Sequence, residues 1–363
     1  MIKYIGSKRV LVPKIVSLIA TVDSLDRTRR VADLFSGTAR VGRAMKSAGY
    51  RVTCNDLLTY SYVLSQALVA ADERLYPRRS VERLLRHLNE LAPQDGWFAD
   101  LYSHQARFFH PKNGIRIQAI RDAIDEVSQG DQVLRAILLT SLMLAADKVD
   151  STVGLQMAYL KKWAPRAFND LVLTYPPLLP GAGSAMQGEA VDAAQSVVAD
   201  LVYLDPPYNQ HSYLGNYHVW ETLVLWDRPE TYGVARKRVD CRSRKSVFNQ
   251  KRTAAPALSA VISAIKAPHI VLSFSNEGFI LAEDLEAALG AERFVVRLAH
   301  DHKRYVGAQI GIYNPSGVKV GGVSHTRNRE YLFVATKSRP VADALQGIAV
   351  QSELQASEQL SFS

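Results

Sequence analysis

The chain has 363 residues, 47% of them hydrophobic and 22% charged, an ordinary composition for a folded soluble protein with room for one large domain plus an insertion, or for two domains. Its net charge of +9 fits a polyanionic partner, nucleic acid being the commonest, although a mildly basic balance is also frequent without one. Two cysteines, Cys54 and Cys241, exclude a cysteine-built zinc cluster and a disulfide framework, and the longest apolar stretch, around Ala136 to Ala146, is too short to cross a bilayer.

The first ten residues crowd together Lys3, Tyr4, Gly6, Ser7 and Lys8. This start shows no charged-then-apolar leader pattern, so the expected location is cytoplasmic. It reads either as a segment that closes over a carboxylate-bearing ligand or as a loose basic terminus. Val31 to Phe35 reads as a strand that ends in the small-residue turn Ser36-Gly37-Thr38, and a helix follows with Val41, Ala44, Met45 and Ala48 on one face. Arg51 to Cys54 is a second strand, ending at Asn55-Asp56, and the next helix carries Tyr60, Tyr62, Leu64 and Leu68. From about 75 to 168 the pattern is helical, with Leu84, Leu85, Leu88 and Leu91 on one face and Ile117, Ile120, Ile124 and Val127 on another. Leu171-Val172-Leu173 reads as the next short strand and Pro176 to Gly183 as a loop. Strands resume at Leu201 to Leu204, His269 to Ser273, Phe294 to Leu298 and Glu330 to Val334, and the last twenty or so residues form a polar tail without periodicity.

The expected fold is therefore α/β, a Rossmann-like sheet with helices on both faces and an inserted, mainly helical domain. The catalytic part covers 1–72 and 169–337, the insertion 73–168 and a flexible tail 338–363. The turn at Asp33-Leu34-Phe35-Ser36-Gly37-Thr38-Ala39 lets a nucleoside-bearing ligand approach the main chain, or simply joins strand to helix. The GxGxxG dinucleotide fingerprint is missing; an adenosine ligand without pyrophosphate needs no phosphate cradle, and that fits S-adenosylmethionine. Asp56, at the end of the second strand, is placed to accept ribose hydroxyls or to cap a helix. Glu189, in Gly188-Glu189-Ala190, reads as a contact for an adenine amine or as a surface acid.

The richest segment is Asp205-Pro206-Pro207-Tyr208, directly after a buried strand. A carboxylate and the carbonyl between two prolines supply two acceptors for an exocyclic amine, and the tyrosine ring can stack on the attached base; the alternative is a strand-stopping turn. Beyond it, aromatics and amides alternate through Tyr213 and Asn216, suited to an extruded base or to the start of a packed helix. A basic run follows, with Arg236, Lys237, Arg238, Arg242, Arg244 and Lys245, opposed nearby only by Asp240. Such a run is a solvated face or a set of phosphate and base-edge contacts.

Three of these segments, Lys3-Tyr4-Ile5-Gly6-Ser7-Lys8, Asp33-Leu34-Phe35-Ser36-Gly37-Thr38 and Asp205-Pro206-Pro207-Tyr208, occur in an order that resembles the motifs of the D12 class of DNA adenine-N6 methyltransferases, the class that includes the Dam enzymes. Ser273-Phe274-Ser275-Asn276-Glu277-Gly278 and His325-Thr326-Arg327-Asn328-Arg329-Glu330 also look like family segments, so the resemblance covers most of 1–335. Ala39 stands where many relatives carry a second glycine. The resemblance implies a site-specific enzyme that moves a methyl group from S-adenosylmethionine to N6 of a flipped-out adenine in double-stranded DNA, with a cognate restriction endonuclease as a further possible partner. It places Lys3, Tyr4 and Lys8 near the methionine end of the donor, Asp33, Ser36 and Gly37 along the donor pocket, and Asp56 on the ribose, with Glu189 as a looser match. Asp205 and the Pro206 carbonyl hold the target amine, and Tyr208 stacks on its base. Two alternatives remain at this point: methylation of another amine (cytosine N4, an RNA base, a protein amide), or a DNA-binding module that has lost catalysis.

Overall fold

In chain order the computed structural model runs α1 (Val12–Leu25), β1 (Arg30–Asp33), α2 (Arg40–Ser47), β2 (Arg51–Asp56) and α3 (Thr59–Ser65), which continues as a π-helical turn over Gln66–Ala70. The helical stretch follows as α4 (Arg78–Glu90), α5 (Trp97–Ala99), α6 (Pro111–Val127) and α7 (Gln132–Val149). Next come β3 (Gly183–Gln187), α8 (Ala190–Ser196), β4 (Leu201–Leu204), α9 (Tyr213–Asn216), α10 (His218–Leu225) and the small antiparallel pair β5 (Thr231–Tyr232) and β6 (Lys237–Arg238). The chain closes with α11 (Lys251–Ala264), β7 (His269–Ser275), α12 (Ala282–Gly290), β8 (Phe294–Lys303), β9 (Ile312–Tyr313), β10 (Lys319–Gly321), β11 (Arg327–Thr336) and α13 (Arg339–Ser361). The structure describes all residues except Ser7, 158–161, 304–311, 314–318, 322–326 and 362–363; His325 and Thr326 of the last family-like segment lie outside the described residues.

Seven strands form one sheet in the order β3-β2-β1-β4-β7-β11-β8. β11 is antiparallel to both its neighbours, and the other pairs from β3 across to β7 are parallel. Period-two alternation assigns each strand's side chains to two apolar layers. Val31, Val52, Leu201, Tyr203 and Val271 belong to the layer that also holds the buried faces of α1, α3, α6, α7 and α10. Ala32, Val202, Leu204, Ile270 and Leu272 belong to the layer built with α8, α11 and α12. Helix α7 is apolar almost all round, and it is buried accordingly, with Ile137, Leu138, Leu139, Leu142 and Met143 out of water. The expected Rossmann-like sheet with helices on both faces is what forms.

Two expectations change. Leu171-Val172-Leu173 joins no sheet. The Asn113 and Asn89 side chains accept the Leu171 and Leu173 N–H groups at 3.1 and 2.9 Å, and Asn89 also donates to the Leu173 carbonyl, so helix amides take the place of a ladder partner. The edge strand is instead β3, paired in parallel with β2 from Val52–Gly183 to Asp56–Gln187. The other change is at the end of the chain, where 339–361 is helical rather than a loose tail. Val341, Leu345 and Ala349, spaced four apart, are buried in the core layer beside α1 and β8.

The sheet sets the site. Strand order reverses between β1, which continues toward β2 and β3, and β4, which continues toward β7, and open α/β sheets bind ligands beyond the carboxyl ends of strands at such a switch point. Because β11 runs the other way, its early residue Glu330 lies at that same edge, opposite Ser275 of β7.

Candidate active site

A cleft of about 1020 Å³, its open mouth included, lies at the switch point. One half is built on the turn after β1. Gly37 has φ +52°, and a Cβ there would come within 3.3 Å of the Tyr4 ring, so this position needs glycine for both conformation and space. Its N–H donates to Asp56 Oδ2 at 2.8 Å, while Asp56 Oδ1 accepts the Leu58 N–H at 3.0 Å. Asp56 thus fastens the turn after β1 to the end of β2, and burial pushes its carboxyl up to about 6. Ser36 is buried, its N–H given to the Asn55 carbonyl and its hydroxyl 3.0 Å from that of Ser65. Asp33 is only 1% exposed, and its Oδ1 finds no partner among the described residues. Burial first, then the nearby carboxylate of Asp205, push it up to about 8. Ala39, at the start of α2, is fully buried in the left-handed region at φ 57°.

Tyr4 forms part of the cleft wall, stacked between Tyr213 and Tyr217 at ring distances of 5.1 and 4.6 Å. Glu189 is exposed at the rim, immediately after β3, and no described residue bonds its carboxylate. Lys3 alone of the expected donor-site residues lies outside the cleft wall. Its ammonium is committed to Asp147 at 3.3 Å and Asp150 at 3.1 Å, around the end of α7.

The other half of the cleft is the turn after β4. Asp205 Oδ1 lies 3.0 Å from the Lys8 ammonium and accepts the Tyr208 hydroxyl at 2.6 Å. Oδ2 accepts no hydrogen bond from the described residues, and neither does the carbonyl of the buried Pro206. Burial holds the Asp205 carboxyl above the usual carboxylate range, against the pull of Lys8 and Tyr208. The Tyr208 ring packs beside Phe274 at 4.8 Å and lies under Lys8, and its carbonyl accepts the Phe279 N–H, which ties the turn to the loop after β7. Sequence reasoning gave Ser273 and Glu330 no role at this corner, yet both are buried in it. The readable signal for Glu330 was a carboxylate heading an otherwise apolar strand.

The basic run divides. Arg238 is buried, with its guanidinium held by Asp227 at 2.7 Å and by Asp240 at 3.1 Å. Arg244 reaches into the cleft wall and pairs with the fully buried Glu221 at 3.0 Å and with Asp240 at 3.1 Å. These two cations neutralise acids of the protein itself, and Arg238 is not available to a phosphate. Asn216 is likewise buried, at the end of α9. Arg242 and Lys245 are exposed, Arg242 over the Tyr232 ring, and Lys237 is half-buried against Met157. Arg236 sits in the turn between β5 and β6 at φ 48°.

The family model for D12 class N6 adenine-specific DNA methyltransferases matches residues 4–276, a span that includes both halves of this cleft. The chain belongs to that family. It is 31% identical over 289 residues to the Type II methyltransferase M.NlaIII of Neisseria lactamica, covering 76% of this chain and 84% of that protein. It is 30% identical over 298 residues to the modification methylase StsI of Streptococcus sanguinis, and 30% over 306 residues to the Type II methyltransferase M.FokI of Planomicrobium okeanokoites. Those matches cover 78% and 79% of this chain but only 45% and 46% of the relatives, so the chain spans about half their length. The methyl donor of the family is S-adenosylmethionine. The cleft fits such a group: a glycine turn with no phosphate cradle, an unpartnered buried oxygen on Asp33, a free rim carboxylate on Glu189, and apolar walls from Phe35, Leu57 and Phe248.

Proposed function

We propose that this chain methylates N6 of adenine within a specific double-stranded DNA sequence, and that the reaction takes place at the Asp205 corner. The observation that carries this reading is a pair of adjacent, unused acceptors, Asp205 Oδ2 and the Pro206 carbonyl, at the end of β4 beside the donor half of the cleft. An adenine amine has two hydrogens and a lone pair delocalised into its ring. Two acceptors aimed at those hydrogens favour a pyramidal nitrogen whose lone pair is free to attack. The donor, when bound, supplies an electrophilic sulfonium methyl. Asp33, Ser36, Gly37, Asp56 and Glu189 hold it, with Tyr4 as one wall. Asp205 Oδ2 is also placed to take the proton that the nitrogen sheds as its new N–C bond forms. The rest of the rate comes from alignment, which supplies roughly 7–11 kcal/mol in favourable cases.

A paired base cannot reach this corner, so the adenine is flipped out, at a cost of about a few kcal/mol, and Tyr208 stacks on it. Arg236, Lys237, Arg242 and Lys245 carry the phosphates around it. Target reading falls to the helical segment 73–168 and the chain that returns from it: the Gln156 N–H donates to the Asn216 carbonyl, and Met157 meets Lys237, both beside the catalytic turn. The printed names of the relatives, Type II methyltransferases and modification methylases, favour a cognate restriction endonuclease as functional partner. No described helix is long and apolar enough to cross a membrane, and we assign the protein to the cytoplasm, where such DNA lies.

The test is Asp205→Ala. The variant is expected to keep donor affinity in calorimetry and to lose methyl transfer to DNA. Nucleoside analysis of wild-type product DNA should give N6-methyl-2′-deoxyadenosine. Methylation at the wild-type rate by the variant, or a modified cytosine as the only product, would overturn the assignment.

A further inference from the structure

Glu330 is an acid without a role in the mechanism above, yet it is 7% exposed in the corner where the reaction is placed. Its Oε1 collects three donors from three separate parts of the chain. They are the Lys8 ammonium from the N-terminal segment, the Tyr208 hydroxyl at 2.8 Å from the turn after β4, and the Ser273 hydroxyl at 3.1 Å from β7. Lys8 and Tyr208 are also the two groups on Asp205 Oδ1. A buried carboxylate, Glu330, and a half-buried one, Asp205, therefore share one ammonium and one phenol. The phenol has a single hydrogen and serves one carboxylate at a time, whereas the ammonium has three and can serve both. Such a set titrates as a unit.

The position of Glu330 decides where these donors sit. β11 lies on the far side of β7 from β4, so Glu330 pulls Lys8 and Tyr208 across the Ser273 side of Asp205. That side is Oδ1. Without Glu330, one cation and one anion are left, and the ammonium is free to settle over the whole Asp205 carboxylate, in the place of the target amine.

We propose that Glu330 is a positioning residue for methyl transfer, one that anchors Lys8 and Tyr208 on the Oδ1 side of Asp205 so that Oδ2 alone meets the incoming amine. This rests on the assignment of Asp205 as the amine acceptor. The charged and titratable groups facing the pair are Lys8, Tyr208, Tyr203, Tyr213 and Asp33, and His300 of β8 stands opposite Glu330 in register. Glu330 is a like charge to Asp205, so its removal makes Asp205 easier to ionise.

The experiment compares wild type, Glu330→Gln, Glu330→Asp and Asp205→Asn in single-turnover methylation of DNA across pH 5.5 to 9, with donor binding and thermal unfolding in parallel. Glu330→Gln is expected to bind donor within about threefold of wild type, to transfer methyl at least tenfold more slowly, and to show its acid limb at lower pH. Glu330→Asp, which restores the charge, should recover part of the rate and return the limb toward wild type. If Glu330→Gln transfers at the wild-type rate, or if both variants only lower the melting temperature with the limb unmoved, Glu330 is structural and the proposal is wrong. Asp205→Asn separates the two layers: a fully active Asp205→Asn removes the functional assignment itself, whereas an inactive Asp205→Asn beside an unaffected Glu330→Gln removes only the positioning role.

Discussion

Replacing Asp33 by asparagine should remove much of the pH dependence of this protein's stability. The Asp33 carboxyl lies at the end of β1, is 1% exposed and has one oxygen with no partner among the described residues. Burial, then Asp205 and Asp56, raise it from 3.8 to about 8. Between those two values the unfolded chain has released this proton and the folded chain still holds it. Stability from this group is therefore complete below about pH 4, falls as pH rises, and is gone above about pH 8. The slope is about 1.4 kcal/mol per pH unit, so two units between pH 5.5 and 7.5 change stability by about 3 kcal/mol. Asparagine does not titrate, and the contributions of Asp56 and the other acids largely cancel when variant and wild type are compared. The stability of Asp33→Asn relative to wild type should thus rise by about 3 kcal/mol over that interval. Urea unfolding of the donor-free proteins at several pH values measures it. A difference that stays constant from pH 5.5 to 7.5 would show that Asp33 is ionised in the fold and that its burial has been misjudged.

Ala39 holds a left-handed conformation that costs a Cβ-bearing residue roughly 1–2 kcal/mol, while glycine loses roughly 0.4–1 kcal/mol through its freer unfolded chain. Because Ala39→Gly also removes a fully buried methyl, worth about 0.8 kcal/mol, it should leave stability within about 1 kcal/mol of wild type in the same unfolding assay; a larger loss would mean that the turn carries no strain. Arg238→Ala should unfold more easily by about 3 kcal/mol, near the low end for a broken buried pair because Asp227 and Asp240 are partly exposed and can rehydrate. Arg242→Ala and Lys245→Ala should change stability by no more than about 1 kcal/mol, and each should reduce the salt slope of DNA binding by about 1. Weakened DNA binding with unchanged stability in Arg238→Ala would return that residue to the interface.

The parts of the fold legible in the sequence are those where one local signal decides. β1, β2, β4, β7, β8 and β11 are apolar runs of strand length, and most of them are flanked by polar turns. β3 was illegible because Gly183-Ser184-Ala185-Met186-Gln187 has no β-branched residue and only a half-buried pattern; β2 recruits it as an edge. Leu171–Leu173 has the composition of a strand, but Asn89 and Asn113, 84 and 58 residues earlier, take its backbone groups. The Asp205 corner followed the same division. Asp205 and Tyr208 stand in one short motif, whereas Ser273 and Glu330 reach it only through strand order and the reversed direction of β11. The basic run misled because charge counted along the chain shows only Asp240, while Asp227 lies upstream of the run and Glu221 approaches from α10.

One segment joins the two halves of the cleft although it belongs to no strand. Tyr4 lies under the Gly37 turn and between two tyrosines, the Ile5 N–H donates to the Tyr217 hydroxyl at 2.6 Å, and Lys8 closes on Asp205 and Glu330. Ordering such a segment costs roughly 1–2 kcal/mol per residue in backbone entropy, offset by the burial of Ile2 and Tyr4 and by the aromatic stacks, each worth about 0.5–1.5 kcal/mol beyond the area buried. The charge does the rest. With Lys8 withdrawn, the half-buried Asp205 and the buried Glu330 are neighbouring carboxylates without a cation, and each holds a proton more readily. On the proposed assignment, a protonated Asp205 no longer offers an amine the anionic acceptor that would activate it. On that assignment, docking of the N-terminal segment and the reactivity of Asp205 are coupled through Lys8.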